Sequence, residues 1–283
     1  MTQSIRSIEQ LNRLSPSERR ALLKDAVRRT KESPESSAGP KICPTSFAQQ
    51  RLWFLDRLMG ESRFYNIANA VRIAGQINVI ALEGGANEIV QRHEALRTSF
   101  ALIDGTPAQV VARSLNIRLP LVDLSGLSAD EIDGEVKRLA MEQIARPFDL
   151  SRLPLIRISL LHTAVNEHVA VMTMHHIISD GWSMTVLIRE LGSLYHGIVN
   201  GEPSRLRALR AQYSDFARWQ RIHCAGPASE DHLRYWRERL KGLTPLDLLA
   251  DRPRPPALTH RGATRTVVFS EDLSRSLRTI GRT

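Results

Sequence analysis

The 283-residue chain carries two cysteines, Cys43 and Cys224. They make no metal-ligand spacing and no disulfide framework, so both are expected as reduced thiols. Aromatic residues are scarce, at 5%, and do not alternate with the basic ones. A net charge of +9 therefore reads as an Arg-rich solvated surface rather than a nucleic-acid face. No apolar run approaches the ~20 residues of a membrane helix, and the first residues, MTQSIRSIEQ, have no apolar signal core. A cytoplasmic protein that touches neither nucleic acid nor membrane is expected. No GxGxxG is present, and helices and strands mix without a βαβ fingerprint, so a dinucleotide fold is not expected.

What is present is concentrated in one run, His175-His176-Ile177-Ile178-Ser179-Asp180-Gly181-Trp182-Ser183. Val169, Val171, Met172, Thr173 and Met174 come before it, so a strand is expected to deliver the histidines and Gly181 to break it. Neighbouring side chains on a strand point to opposite faces. Only one imidazole can face a given cavity, which argues against a metal held by both. One imidazole at a strand end, followed by a carboxylate, suits proton transfer or positioning of a nucleophile.

Ser15-Pro16-Ser17-Glu18 has the chemistry of a helix start, and Leu22, Leu23, Ala26 and Val27 continue at helical spacing. Residues 1–40 are accordingly expected as a helical linker or docking element, ending in a Ser/Pro/Gly-rich stretch. Helices are expected over 46–58, 79–93, 129–145 and 183–199. Strands are expected over 66–75, 155–161 and 169–174, with a hairpin over 99–111 turning at Asp104-Gly105. Residues 212–241 read as helical, 246–256 as a proline-rich crossing segment, 264–269 as a strand, and the residues from Glu271 as a helix.

Four segments in order carry a resemblance. They are Ser46-Phe47-Ala48-Gln49-Gln50-Arg51-Leu52-Trp53-Phe54-Leu55, Arg92-His93-Glu94-Ala95-Leu96-Arg97-Thr98-Ser99-Phe100, the histidine run, and Tyr213-Ser214-Asp215-Phe216-Ala217-Arg218-Trp219-Gln220-Arg221. Pro147-Phe148-Asp149-Leu150 and Asp251-Arg252-Pro253-Arg254-Pro255 add to it. Together they resemble the condensation domain of nonribosomal peptide synthetases over residues 42–283.

The resemblance implies an α/β, chloramphenicol acetyltransferase-like two-layer sandwich lobe over 41–210, followed by crossing helices and the beginning of a second, truncated lobe over 211–283. It implies an acyltransferase of antibiotic biosynthesis that forms an amide between a donor acyl or peptidyl thioester and an acceptor aminoacyl thioester. Donor and acceptor peptidyl carrier proteins, beside an adenylation domain, would deliver these on 4′-phosphopantetheine. No cofactor or metal would be bound directly. His176 takes the catalytic role by resemblance, within a motif that also contains His175, Asp180 and Gly181. His175 is expected to be buried and structural. Asp180 is expected to pair with Arg92 or Arg97. Gly181 is expected to let the backbone turn closely, Trp182 to pack, and Ser183 to cap the next helix.

Arg51, Trp53, Tyr65 and Trp219 are read as structural. Because only the start of the second lobe is matched, this chain alone is expected to be inactive, and a docking-only fragment is the competing reading. His175 and Asp180 also satisfy the H-x4-D spacing of glycerolipid acyltransferases, a third reading that needs a membrane-associated segment not seen here. Two histidines in the motif argue against the heterocyclization branch, which carries an aspartate there, and Trp182-Ser183 after Asp-Gly argues against the epimerization branch.

Overall fold

The computed structural model describes residues 39–60, 63–224, 227–244, 246, 248, 250–253, 263 and 265–282. The expected N-terminal helix and most of the proline-rich segment lie outside the described residues. The chain divides into two units, residues 1–236 and 237–283.

The first unit holds two small sheets. β1 (Lys41–Pro44), β4 (Thr106–Val111) and β3 (Thr98–Ile103) form the first, in that spatial order. Asp104 and Gly105 join β3 to β4 with φ of 50° and 72°, the left-handed pair that a tight hairpin of right-twisted strands requires. The second sheet is ordered β2 (Asn66–Ala74), β7 (Glu167–His175), β6 (Ile156–Ala164), β5 (Leu121–Asp123). All its pairs are antiparallel except β5 with β6. Its central strand, β7, faces Asn66 across the ladder at His175. With neighbours on both edges and cover on both faces, β7 is buried at His168, Val169, Val171, Thr173, Met174 and His175, which explains its continuous apolar run.

Helices cover both faces. α1 (Phe47–Met59) starts at Ser46, whose side chain and that of Gln49 cap each other's backbone N–H. α2 (Val79–Arg92) lies against α4 (Gly181–Asn200), and their apolar stripes meet Ile156 and Met174 of the sheet, together with Ile177 and Phe100. α3 (Ala129–Ala145) covers the other face, where Val136 and Leu139 meet Leu161, Val169 and Val171. α5 (Tyr213–Cys224) packs on β1. The first unit takes in α5 and ends within α6 (Pro227–Arg239).

In the second unit α7 (Glu271–Ile280) begins at Ser270, whose side chain accepts from the Leu273 N–H. The strand expected over 264–269 is not formed at 265–269. Its apolar residues pair with no neighbouring strand among the described residues, and an isolated strand leaves its backbone groups without partners. Cys43 is buried and Cys224 exposed, both free.

Candidate active site

β7 ends at His175, and a tight turn follows, closed by the Ile178 N–H donating to the His175 carbonyl at 3.1 Å. Ile177 and Ile178 are 3% and 7% exposed, so the turn is pinned into the core from below. Gln49 of α1 holds it from the side, its Nε2 donating to the Ile177 carbonyl at 3.3 Å and to Gln109 at 3.2 Å. His176 thus sits on the turn rather than on the strand. Its N–H donates to the Tyr65 carbonyl at 2.7 Å, and its ring is exposed while His175 is 0% exposed. The two imidazoles do face opposite ways.

The His176 ring is oriented by one bond. Nδ1 lies 2.7 Å from the Ser179 carbonyl oxygen, which can only accept. The proton of the neutral ring is therefore on Nδ1, and Nε2 keeps its lone pair. His175 has the opposite character. Its Nδ1 accepts from the Ile177 N–H at 3.1 Å, its Nε2 is buried with no partner, and burial, with His176 adjacent, pulls its pKa down to about 4. It is a neutral structural imidazole between Tyr65 and Phe148.

Asp180 corrects an expectation. Its carboxylate accepts from the Ser183 N–H at 2.7 Å and the Ser183 hydroxyl at 2.6 Å, so Asp180 itself caps α4 and Ser183 is the donor. The two Ser183 bonds are the main reason its carboxyl is held below the usual aspartate range. Among the described residues it forms no ion pair. Arg92 instead pairs with Glu190 at 2.9 Å and donates to the Arg207 carbonyl at 2.7 Å, and Arg97 donates to the Ala112 carbonyl. Arg92 is engaged by a carboxylate that α4 itself carries, and Arg97 by a backbone carbonyl. Nor do His175 and Asp180 act together, which removes the H-x4-D reading: one is enclosed in the core and the other caps a helix.

Gly181 is the first residue of α4 and is not among the glycines with positive φ; a Cβ there would meet nothing within 4 Å. The close turn expected of it is absent, and a side chain there would meet open space. Trp182 is 82% exposed and does not pack in the core.

His176, Asp180, Trp182 and Ser183 line a cleft of about 490 Å³. Arg51 of α1, Tyr65, His93 and Tyr213 of α5 complete its rim. Arg51 and Tyr65, read as structural from sequence, thus reach the cleft, while Trp53 packs against the core. His93 and Tyr213 stand out in the sequence only as parts of longer segments. Glu190 escapes the sequence reading altogether, although a carboxylate within the stripe Met184, Leu187, Glu190, Leu194 is a sign of a buried partner. Among the described residues no cluster of His, Cys, Asp or Glu could hold a metal ion, and no helix is long and apolar enough to cross a membrane.

An imidazole with a free lone pair thus lines a mostly apolar cleft on a turn between a sheet and a helix, an arrangement able to accept a proton or to position a nucleophile. Residues 40–282 match the Condensation domain family. A linear gramicidin synthase of Brevibacillus parabrevis is 44% identical over 86% of this chain, which covers 3% of that protein. Phosphinothricin tripeptide synthetase PhsC of Streptomyces viridochromogenes is 39% identical over 83% of this chain and is covered over 22% of its length. The X-domain from teicoplanin biosynthesis superposes with a TM-score of 0.68 at 30% identity over 80% of this chain and 50% of that one. The first condensation domain of the calcium-dependent antibiotic synthetase has the same fold, with a TM-score of 0.66 at 20% identity over 74% and 51%. The chain thus spans about half the length of the solved structures it matches. It belongs to the condensation-domain family of nonribosomal peptide synthetases.

Proposed function

We propose that this chain forms amide bonds between two thioester-linked groups, a donor acyl or peptidyl unit and an acceptor aminoacyl unit. Each is carried by a peptidyl carrier protein on a 4′-phosphopantetheine arm, and the chain itself binds no cofactor. The observation that carries the reading is the lone pair of His176 Nε2 in a cleft of about 490 Å³, within the size range of small-molecule sites. As the acceptor amine attacks the donor carbonyl, Nε2 takes a proton from the nitrogen. The tetrahedral centre then collapses, the C–S bond breaks, and the leaving sulfur receives that proton. The Ser179 carbonyl holds the Nδ1–H and stabilises the imidazolium in between.

The test is His176→Ala in the complete condensation domain, assayed with loaded carrier proteins. Amide formation falls by about 10²–10⁴-fold, the range of general acid–base catalysis. Because the ring is exposed, the melting temperature stays where it was. Turnover at the wild-type rate would remove His176 from the chemistry. A docking-only role is the second reading, favoured by the likeness to the teicoplanin X-domain, which was solved in complex with OxyB. It predicts that wild type and His176→Ala are equally inert.

A further inference from the structure

His93 lines the same cleft as His176 but comes from a different element, the end of α2. Its Nε2 lies 2.8 Å from Glu190 Oε2, a carboxylate that Arg92 also grips at 2.9 Å. An ionised carboxylate only accepts, so Nε2 carries a proton and Nδ1 is the nitrogen left to act. Among the described residues Nδ1 has no hydrogen-bond partner, and it is not among the enclosed, unsatisfied atoms. Glu190 is 9% exposed on its side chain, and its bonds to His93 and Arg92 hold it ionised against a burial that pushes the other way. A carboxylate-backed imidazole on the cleft wall is thus in place, and the chemistry proposed for His176 leaves it no task.

The proton balance supplies one. An acceptor α-amine arrives largely as an ammonium at neutral pH. Converting R–NH3⁺ and a thioester into an amide and a thiol forms one C–N bond, breaks one C–S bond, and moves two protons off nitrogen. One ends on the leaving sulfur, by way of His176. The other must leave before the attack, because an ammonium has no lone pair. We propose that His93 is the acceptor of that first proton. It passes from the ammonium to Nδ1, forming an imidazolium paired with Glu190, and then to solvent. The groups facing this site are Glu190 and Arg92 on one side, and His176, Asp180, Arg51, Tyr65 and Tyr213 around the cleft, the Tyr213 hydroxyl being bonded to Ser46. This inference rests on the condensation reading.

The test is His93→Gln in the complete condensation domain, with the wild type beside it, followed from pH 6.5 to 9. The amide of glutamine keeps a donor for Glu190, and an unchanged melting temperature checks that the site is intact. In the wild type, kcat/KM for the acceptor is flat through the titration of the amine. In the variant it follows that titration, about tenfold lower at pH 7, the scarcity of free amine there, and equal to wild type by about pH 9. An alkoxyamine acceptor, which arrives without the extra proton, is used equally by both. A variant identical to wild type at every pH, or one slowed equally at every pH and with both acceptors, overturns the proposal and leaves the condensation reading standing. A wild-type domain that forms no amide from carrier-bound substrates removes the reading itself.

Discussion

Two neighbouring imidazoles show how placement decides chemistry. The enclosure that makes His175 a poor base also makes it a stability sensor. Its folded pKa of about 4 lies below the usual 6.5, so the unfolded chain binds a proton first as pH falls. The stability due to this group is complete above about pH 6.5 and is lost on going down toward pH 4, amounting to about 3 kcal/mol in all. His168, also lowered by burial and by His162, works in the same direction. Urea unfolding at pH 7, 6 and 5 of the wild type and of His175→Gln isolates the His175 share: the variant's slope is shallower by about one proton. Equal slopes would show that His175 titrates normally. Asp180 offers a second test. As a helix cap without an arginine partner, it makes Asp180→Ala cost about 1 kcal/mol and Asp180→Asn almost nothing. A loss of several kcal/mol from either would require an ion pair at Asp180, which has none among the described residues.

At the scale of elements, the site depends on α2 and α4 lying close together. Gly85 of α2 sets the approach, since a Cβ there would meet Leu191 Cδ1 at 3.2 Å and the Tyr195 backbone nitrogen at 3.6 Å. The leucine tip can yield, so Gly85→Ala is expected near neutral, with the gain in helix propensity offsetting the contact. Gly85→Val meets backbone that cannot yield and costs about 1–3 kcal/mol, read as a drop in melting temperature. Across the same interface, Glu190→Ala leaves the Arg92 guanidinium half-buried without its carboxylate and costs about 3 kcal/mol, measured by urea unfolding; a loss below about 0.5 kcal/mol would show that the pair is not worth its burial. Much of this level is legible in the sequence. The helix over 129–145 and the turn at Asp104-Gly105 follow from local pattern and turn chemistry alone. The short strands β1 and β5 are not legible there, because three or four residues carry no period and owe their state to partners far along the chain.

At the scale of the whole molecule, the cleft is lined by residues of the first unit. Trp182 is 82% exposed beside the exposed His176. Amide formation needs both thioesters held in line with Nε2, and the 283-residue chain, which spans about half the length of the solved structures it matches, is expected to be at least about 100-fold slower than a domain of their full length. Rates within a few-fold of each other would mean that this cleft alone aligns both substrates.

The amino-acid sequence by itself determined the family and the order of the helices and longer strands in the first unit, since these rest on motif order and on period; that His175 is enclosed and His176 exposed was decided by the turn that follows the strand. The sequence left open who holds whom. The Asp180–Arg pair expected from sequence became an Asp180–Ser183 cap. Arg92 went to Glu190 and drew His93 with it, and Gln49 came to hold the His176 turn from 128 residues away. Charged and polar groups have long reach and little periodicity. Their partners are decided only when packing brings α1, α2 and α4 against one sheet and each buried polar atom takes the donor or acceptor then nearest to it.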